Sequence, residues 1–238
     1  MRLLPKRESS AAADSLEECL SPLPNHFRTR LLSMYAGEQQ TGLDGCLYPL
    51  DRNTRIAPEG GMWLYKLCRA MKPKQTLEVG LAYGFSTIYF LAAIHENGSG
   101  LHTAIDPFQY APNFSWKGIG VAHSGKLGMA HAFRLIEEKS VFALARLASG
   151  SQKFELIFVD GNHRFDDALM DFTLSAELCP MGGCIVVDDL WMPSLQRAVS
   201  FIRKNRTDFR EIASPLSGMV AFERLCQDSR RWDHYVRF

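Results

Sequence analysis

Five carboxylates stand at or near the ends of apolar runs: Glu78 in TLEVG, Asp106 in HTAID, Asp160 in LIFVD, and Asp188 with Asp189 in CIVVDD. A buried strand has no structural need to end in an acid, and five acids on one edge would repel one another. Such an edge suits a cation, or a ligand rich in hydroxyl and ammonium donors. Asp160, Asp188 and Asp189 together form an oxygen-rich set of the kind Mg²⁺ prefers over soft metals. Taken singly, Asp188 or Asp189 could equally cap the helix that follows. Asp106 is placed to grip two ribose hydroxyls. Gly80 and Gly84, ahead of Ser86, would let backbone approach a ligand closely. A helix starting near Phe85 would point free N–H groups at that ligand, which favours a carboxylate or phosphate. An ordinary tight turn would use the same glycines. The spacing is not G-x-G-x-x-G, which argues against a dinucleotide site. His163, three residues after Asp160, could take a proton from a hydroxyl acidified by a metal. A hydrogen-bonded scaffold role also suits a lone loop histidine.

The elements that must position these residues alternate along the chain. Pro58 starts a helix that stops before Pro73. QTLEVG reads as a strand, FSTIYFLAAIHENG as a helix and LHTAID as a strand. GKLGMAHAFRLIEE reads as a helix, followed by a short apolar strand or helix around Ser140–Leu147. FELIFVDG, FDDALMDFTLSAELCP, GGCIVVDD and SLQRAVSFIRKN continue as strand, helix, strand and helix. This alternation predicts a doubly wound α/β fold, with a parallel sheet covered on both faces. FREIAS and GMVAFERL are joined too tightly for a helical crossover, so they should close the sheet as an antiparallel hairpin. Before this domain, residues 1–15 read as mobile, 15–37 as one or two short helices and 38–55 as a loop. The expected division is an N-terminal helical extension or lid over 1–53 and the main domain over 54–238.

The 238 residues carry 27 basic and 26 acidic side chains, for a net charge of +1. That balance leaves no electrostatic footprint for nucleic acid or an acidic membrane surface. None of the six cysteines forms a C-x-x-C pair, which predicts free thiols in a reducing compartment. No signal peptide and no membrane-spanning stretch is evident, so a soluble cytoplasmic protein is expected. Phe108, Tyr110, Phe114 and Trp116 in the loop after Asp106, and Trp191 after the acid pair, could wall a ligand or simply pack their loops. The tail RRWDHYVRF reads as a solvated end or a homo-oligomer contact.

LEVGLAYGFST, AIDPF, FELIFVDGNHRFDDALMDF and LCPMGGCIVVDDLW together resemble the class I S-adenosylmethionine-dependent methyltransferases. The closest branch is the metal-dependent small-molecule O-methyltransferases, which include catechol, caffeoyl-CoA, antibiotic-sugar and macrocin-type enzymes. The resemblance covers roughly residues 54–224. It implies a Rossmann-like seven-stranded sheet with one reversed strand. It also implies that Gly80, Gly84 and Ser86 hold the methionyl end of S-adenosylmethionine, with Glu78 near its ammonium. Asp106 would then bind the ribose and Ser140 the adenine. Asp160 would adjoin the cofactor and, with Asp188 and Asp189, hold a divalent ion, Mg²⁺ by expectation. The implied reaction is methyl transfer to a hydroxyl of a small molecule. His163 stands where the catechol-type enzymes carry a general-base lysine. The antibiotic-sugar enzymes use an acid two residues after the metal aspartate; here that residue is Asn162, which cannot be a base. The rivals are a methyltransferase acting on nitrogen and a silent cofactor-binding module that works through a partner.

Overall fold

A computed structural model describes residues 10–111 and 116–238, so Phe114 of the aromatic loop lies outside the described residues. The N-terminal part contributes α1 (Ser10–Leu20), α2 (Asn25–Tyr35) and a small hairpin, β1 (Gln40–Thr41) with β2 (Leu47–Tyr48). There follow α3 (Pro58–Met71), β3 (Gln75–Val79), α4 (Phe85–Asn97), β4 (Leu101–Ile105), α5 (Ile119–Lys126) and β5 (Phe133–Ile136). The chain continues through α6 (Ser140–Ala148), β6 (Leu156–Val159), α7 (Phe165–Leu178), β7 (Cys184–Val187) and α8 (Pro193–Asn205). It closes with the hairpin of β8 (Phe209–Ile212) and β9 (Val220–Arg224).

The seven-stranded sheet runs β5-β4-β3-β6-β7-β9-β8, and β9 is antiparallel to both neighbours. The fold class is the expected one: a Rossmann-like, doubly wound α/β sheet ending in an antiparallel hairpin. The chain winds outward from β3 to β5, then returns to place β6 on the other side of β3. Such a reversal opens a crevice beyond the carboxyl ends of the two central strands, where open α/β sheets bind ligands.

Two local expectations need correction, and one open alternative is resolved. The helix expected across GKLGMAHAFRLIEE ends at Lys126, and residues 133–136 form edge strand β5 instead. Gly128, at φ +70°, breaks the helix, and the β5 backbone then pairs with β4. The ambiguous run from Ser140 is a helix, with Ala143, Leu144 and Leu147 on its buried side. At the N-terminus α1 already begins at Ser10, inside the stretch expected to be mobile, and the 38–55 loop contains the β1–β2 hairpin.

α4 explains the N-terminal helices. Every residue from Phe85 to Ile94 is buried. A helix apolar on all sides must be covered on all sides. Leu20, Phe27, Leu31 and Met34 therefore share one core with Leu64, Phe90 and the sheet residue Phe158. The Tyr35 hydroxyl donates to Ile56 O (2.9 Å) and lies 3.1 Å from the Tyr89 hydroxyl. On the opposite face Leu77, Ile157 and Ile185 pack against Leu144, Phe172 and Val199 from the other helices. Among the described residues no helix is long and apolar enough to cross a membrane.

α3 and α4 approach closely at Gly61, where an added Cβ would lie 2.1 Å from Cε2 of Tyr89. Alanine is the better helix former by roughly 1 kcal/mol, but forcing a methyl into a packed core typically costs about 1–3 kcal/mol. At so short a distance the clash should win, so Gly61→Ala is expected to lower stability by about 1–2 kcal/mol in urea unfolding. An unchanged midpoint would show that the two helices can part here.

Candidate active site

The backbone ladder continues one residue past several strands, and this fixes where the acids stand. The Asp106 amide donates to Ile136 O (3.1 Å), that of Asp160 to Val79 O (3.0 Å) and that of Asp188 to Val159 O (3.2 Å). All three residues, with Asp189 and His163, line a cavity of about 570 Å³. The β3–α4 turn, the start of α6 at Lys139–Val141 and the N-terminal segment Asn53–Ile56 complete its wall. Sequence reasoning missed Asn53–Ile56, because nothing local marks a loop residue as facing a distant sheet edge.

Gly80 adopts φ +95°, and a Cβ there would sit 2.0 Å from the Asp160 carbonyl oxygen. Gly84 adopts φ +83°, and its Cβ would lie 2.9 Å from Gly120 Cα. Both glycines are thus demanded by backbone packed against backbone, whatever the turn binds. α4 starts at Gly84 without a side-chain cap. Its first amides remain available to an anion in the cavity, which Phe85 and Ser86 line.

Glu78 is not at the cavity wall. It is fully buried, and its carboxylate accepts hydrogen bonds from Ser86 Oγ (3.0 Å) and Thr87 Oγ1. His102 Nε2 lies 3.4 Å away, and His102 Nδ1 is 2.8 Å from Thr76 Oγ1. Strand alternation turns Thr76 and Glu78 toward α4, while Leu77 and Val79 enter the opposite core. Glu78 therefore anchors the start of α4 beneath the turn, where it was expected to meet a ligand ammonium. The Ser86 hydroxyl is spent on this anchor, leaving its backbone to face the cavity.

Asp106 holds the turn from the neighbouring strand. Oδ2 accepts from the amides of Leu81 (3.2 Å) and Ala82 (2.8 Å), and Oδ1 from that of Phe108 (2.7 Å). Ala82 sits at φ +45°, a strained conformation for a residue with a side chain. Burial raises the Asp106 pKa, while the Phe108 and Ala82 amides pull it back. Ser140 lines the cavity at the start of α6.

The acids at β6 and β7 do not converge as a simple trio. The ligand atoms brought within 4.8 Å of one another belong to Asp160, His163 and Asp189. His163 Nε2 is 2.7 Å from Asp189 Oδ2 and 3.9 Å from Asp160 Oδ1. Asp188 lies alongside and spends Oδ1 on the Asp189 amide (2.8 Å). Asp189 adopts φ +60°, a conformation Asp tolerates better than most residues. Trp191 Nε1 donates to Asp189 Oδ1 (2.7 Å), and Ser194 Oγ donates to the His163 carbonyl (2.6 Å). Hydrogen bonding to Asp160 and Asp189 pushes the His163 pKa up to about 10. Burial raises the carboxyls of Asp160 and Asp188, and each is raised further by a neighbouring acid. Burial also opposes ionisation of Asp189, but hydrogen bonds from His163 and Trp191 outweigh it and hold its pKa low.

Of the aromatics, Phe108 and Trp116 line the cavity. Tyr110 is half-exposed, and Trp191 is 70% exposed apart from its bond to Asp189. Asn162 donates to Asp167 Oδ2 (2.6 Å).

A doubly wound sheet of this order, with a glycine turn opening onto an uncapped helix and an acid after the next strand, defines a class I methyltransferase architecture. A family profile described as "Methyltransferase domain" matches residues 77–190. Tapetum-specific methyltransferase 1 of Arabidopsis thaliana is 27% identical over 168 residues, covering 70% of this chain and 68% of that protein. A putative caffeoyl-CoA O-methyltransferase of the same plant is 26% identical over 141 residues, covering 57% and 55%. The chain thus spans about half to two-thirds of the length of these relatives. The S-adenosylhomocysteine-bound methyltransferase PaMTH1 of Podospora anserina shares the fold, with TM-score 0.66, 18% identity and coverage of 94% of this chain and 99% of that one. Residues 77–190 of the chain thus form a methyltransferase domain.

Proposed function

We propose that the protein transfers a methyl group from S-adenosylmethionine to a hydroxyl of a small-molecule acceptor, with a divalent ion assisting. The observation that supports this reading most is the single cavity that joins the β3–α4 turn and Asp106 to the acid–histidine cluster. The first half suits the cofactor: the α4 amides for its carboxylate, Asp106 for its ribose, and the Ser140 end for its adenine. The second half suits a cation. Three ligand atoms converge there, and the crowded, partly buried carboxyls of Asp160 and Asp188 resist ionisation until positive charge arrives. Three carboxylates alone would select Mg²⁺. A divalent ion there would supply Lewis-acid polarisation of the acceptor hydroxyl.

The chain's own contribution is alignment. Asp106 and the strained turn fix the donor, and the ladder at Asp160 and Asp188 fixes the acceptor's side of the cavity. Phe108 and Trp116 help to exclude water. Because the sulfonium is already a good leaving group, holding the oxygen in line carries much of the rate. The base role expected of His163 needs a neutral ring, and in the metal-free chain Asp160 and Asp189 work against it by pushing the His163 pKa up to about 10. We further propose residues 1–53 as the lid segment and a cytoplasmic location, which accords with six free thiols. The charge balance gives no reason to expect a nucleic-acid acceptor.

S-adenosylhomocysteine should raise the melting temperature by ligand linkage, and NAD should not. A larger shift with NAD would sink the reading. Release of S-adenosylhomocysteine in the presence of a panel of small phenols, catechols and amines would then decide between oxygen and nitrogen acceptors.

A further inference from the structure

We infer that His163 is a metal ligand and that, with Asp160 and Asp189, it forms a mixed nitrogen–oxygen site that takes Mn²⁺, Co²⁺ or Zn²⁺ in preference to Mg²⁺. This rests on the methyl-transfer reading and refines its metal. The geometry comes first. Ligands about 2.0–2.2 Å from one ion lie roughly 3–4.5 Å apart from each other. The ligand atoms of Asp160, His163 and Asp189 already stand within 4.8 Å of one another, so one ion fits with small adjustments. Asp188, the third acid that the sequence offered, has one oxygen committed to the Asp189 amide.

Support from outside the cluster orients two of the three ligands. The Trp191 indole takes Asp189 Oδ1, which leaves Oδ2 facing the imidazole. Ser194 fixes the backbone of His163 by its carbonyl. Partners of this kind set ligand orientation in metal sites. The His163 side chain is 41% exposed and those of Asp160 and Asp189 about a quarter, so the cluster keeps an open side for an acceptor oxygen. The chemistry decides which ion. Mg²⁺ takes oxygen donors and sheds its water reluctantly, whereas imidazole favours later divalent metals.

The test uses the full chain stripped of metal, titrated with Mn²⁺, Co²⁺ and Mg²⁺ by calorimetry. Mn²⁺ and Co²⁺ should bind at least tenfold tighter than Mg²⁺. Bound Mn²⁺ should show spin-echo modulation from a directly coordinated nitrogen. In His163→Asn that modulation should vanish, and Mn²⁺ affinity should fall at least tenfold while Mg²⁺ affinity moves less than threefold. The melting shift with S-adenosylhomocysteine should persist in the variant, which separates loss of a ligand from loss of the fold or cofactor site. Equal affinity for Mg²⁺ and Mn²⁺, or nitrogen modulation that survives in the variant, would overturn the inference and leave the methyl-transfer reading standing. Absence of any S-adenosylhomocysteine shift in the wild type would count against that reading instead.

Discussion

Asp106→Ala will abolish cofactor binding, with affinity for S-adenosylhomocysteine falling 100-fold or more. Two losses combine in this variant. The ribose would lose its acceptor, and the amides of Leu81, Ala82 and Phe108 would lose theirs. A buried amide left unpaired costs about 1–3 kcal/mol. Ala82, at φ +45°, would then have less reason to keep its strained conformation, and the turn should relax out of the binding shape. Calorimetry well below each variant's melting temperature checks this. Asp106→Asn helps to apportion the effect, since its amide oxygen can still accept from part of the turn. Binding within threefold of wild type in the alanine variant would mean that Asp106 neither holds the ribose nor sets the turn.

The second large effect concerns the cation. Asp160→Ala should lower metal-dependent turnover by about 100-fold or more, the scale of losing a group that positions transition-state charge stabilisation. Cofactor binding should survive. A chelator that leaves turnover unchanged would reassign the acid cluster to scaffolding. The same site makes a prediction that needs no acceptor. His163 is raised to about 10 in the folded chain, so its stabilisation is full below the ordinary histidine value near 6.5. That stabilisation is lost as pH rises through about 10. Asp160 and Asp188 are also raised, so the folded chain holds their protons longer than the unfolded one. Their effect has the same sign: stability falls as pH climbs above the ordinary carboxylate range near 4. The metal-free protein should therefore lose stability from acid to alkaline pH, and a divalent ion should protect it more at pH 8.5 than at pH 6. Binding should release protons, seen as a calorimetric heat that depends on the buffer. Protection that is equal at the two pH values would show that the ion binds elsewhere.

Much of the fold was legible in the sequence. Apolar runs of four or five residues broken by glycine, and amphipathic stretches between them, were enough for the central strands, the crossover helices and the final hairpin. Legibility failed where a short apolar run carried no decisive period. FRLI became strand β5 only because β4 offered an unpaired edge, and the 140–148 run became a helix that packs on the sheet. The site divides along the same line. Which strands end in acids follows from local sequence, because the residue after each apolar run must leave the sheet at its carboxyl edge. Which way each acid points does not. Glu78 lies one residue before its strand's end, so alternation turned it under α4 toward Ser86 and Thr87. The αL conformation of Asp189, held by Trp191, carried its carboxylate to His163, while Asp188 turned to its neighbour's amide. Sequence determined the supply of carboxylates and the edge that bears them. Only the tertiary structure decided that a histidine joins two of them, because that contact spans separate turns, after β6 and after β7, which the pairing of those strands brings side by side.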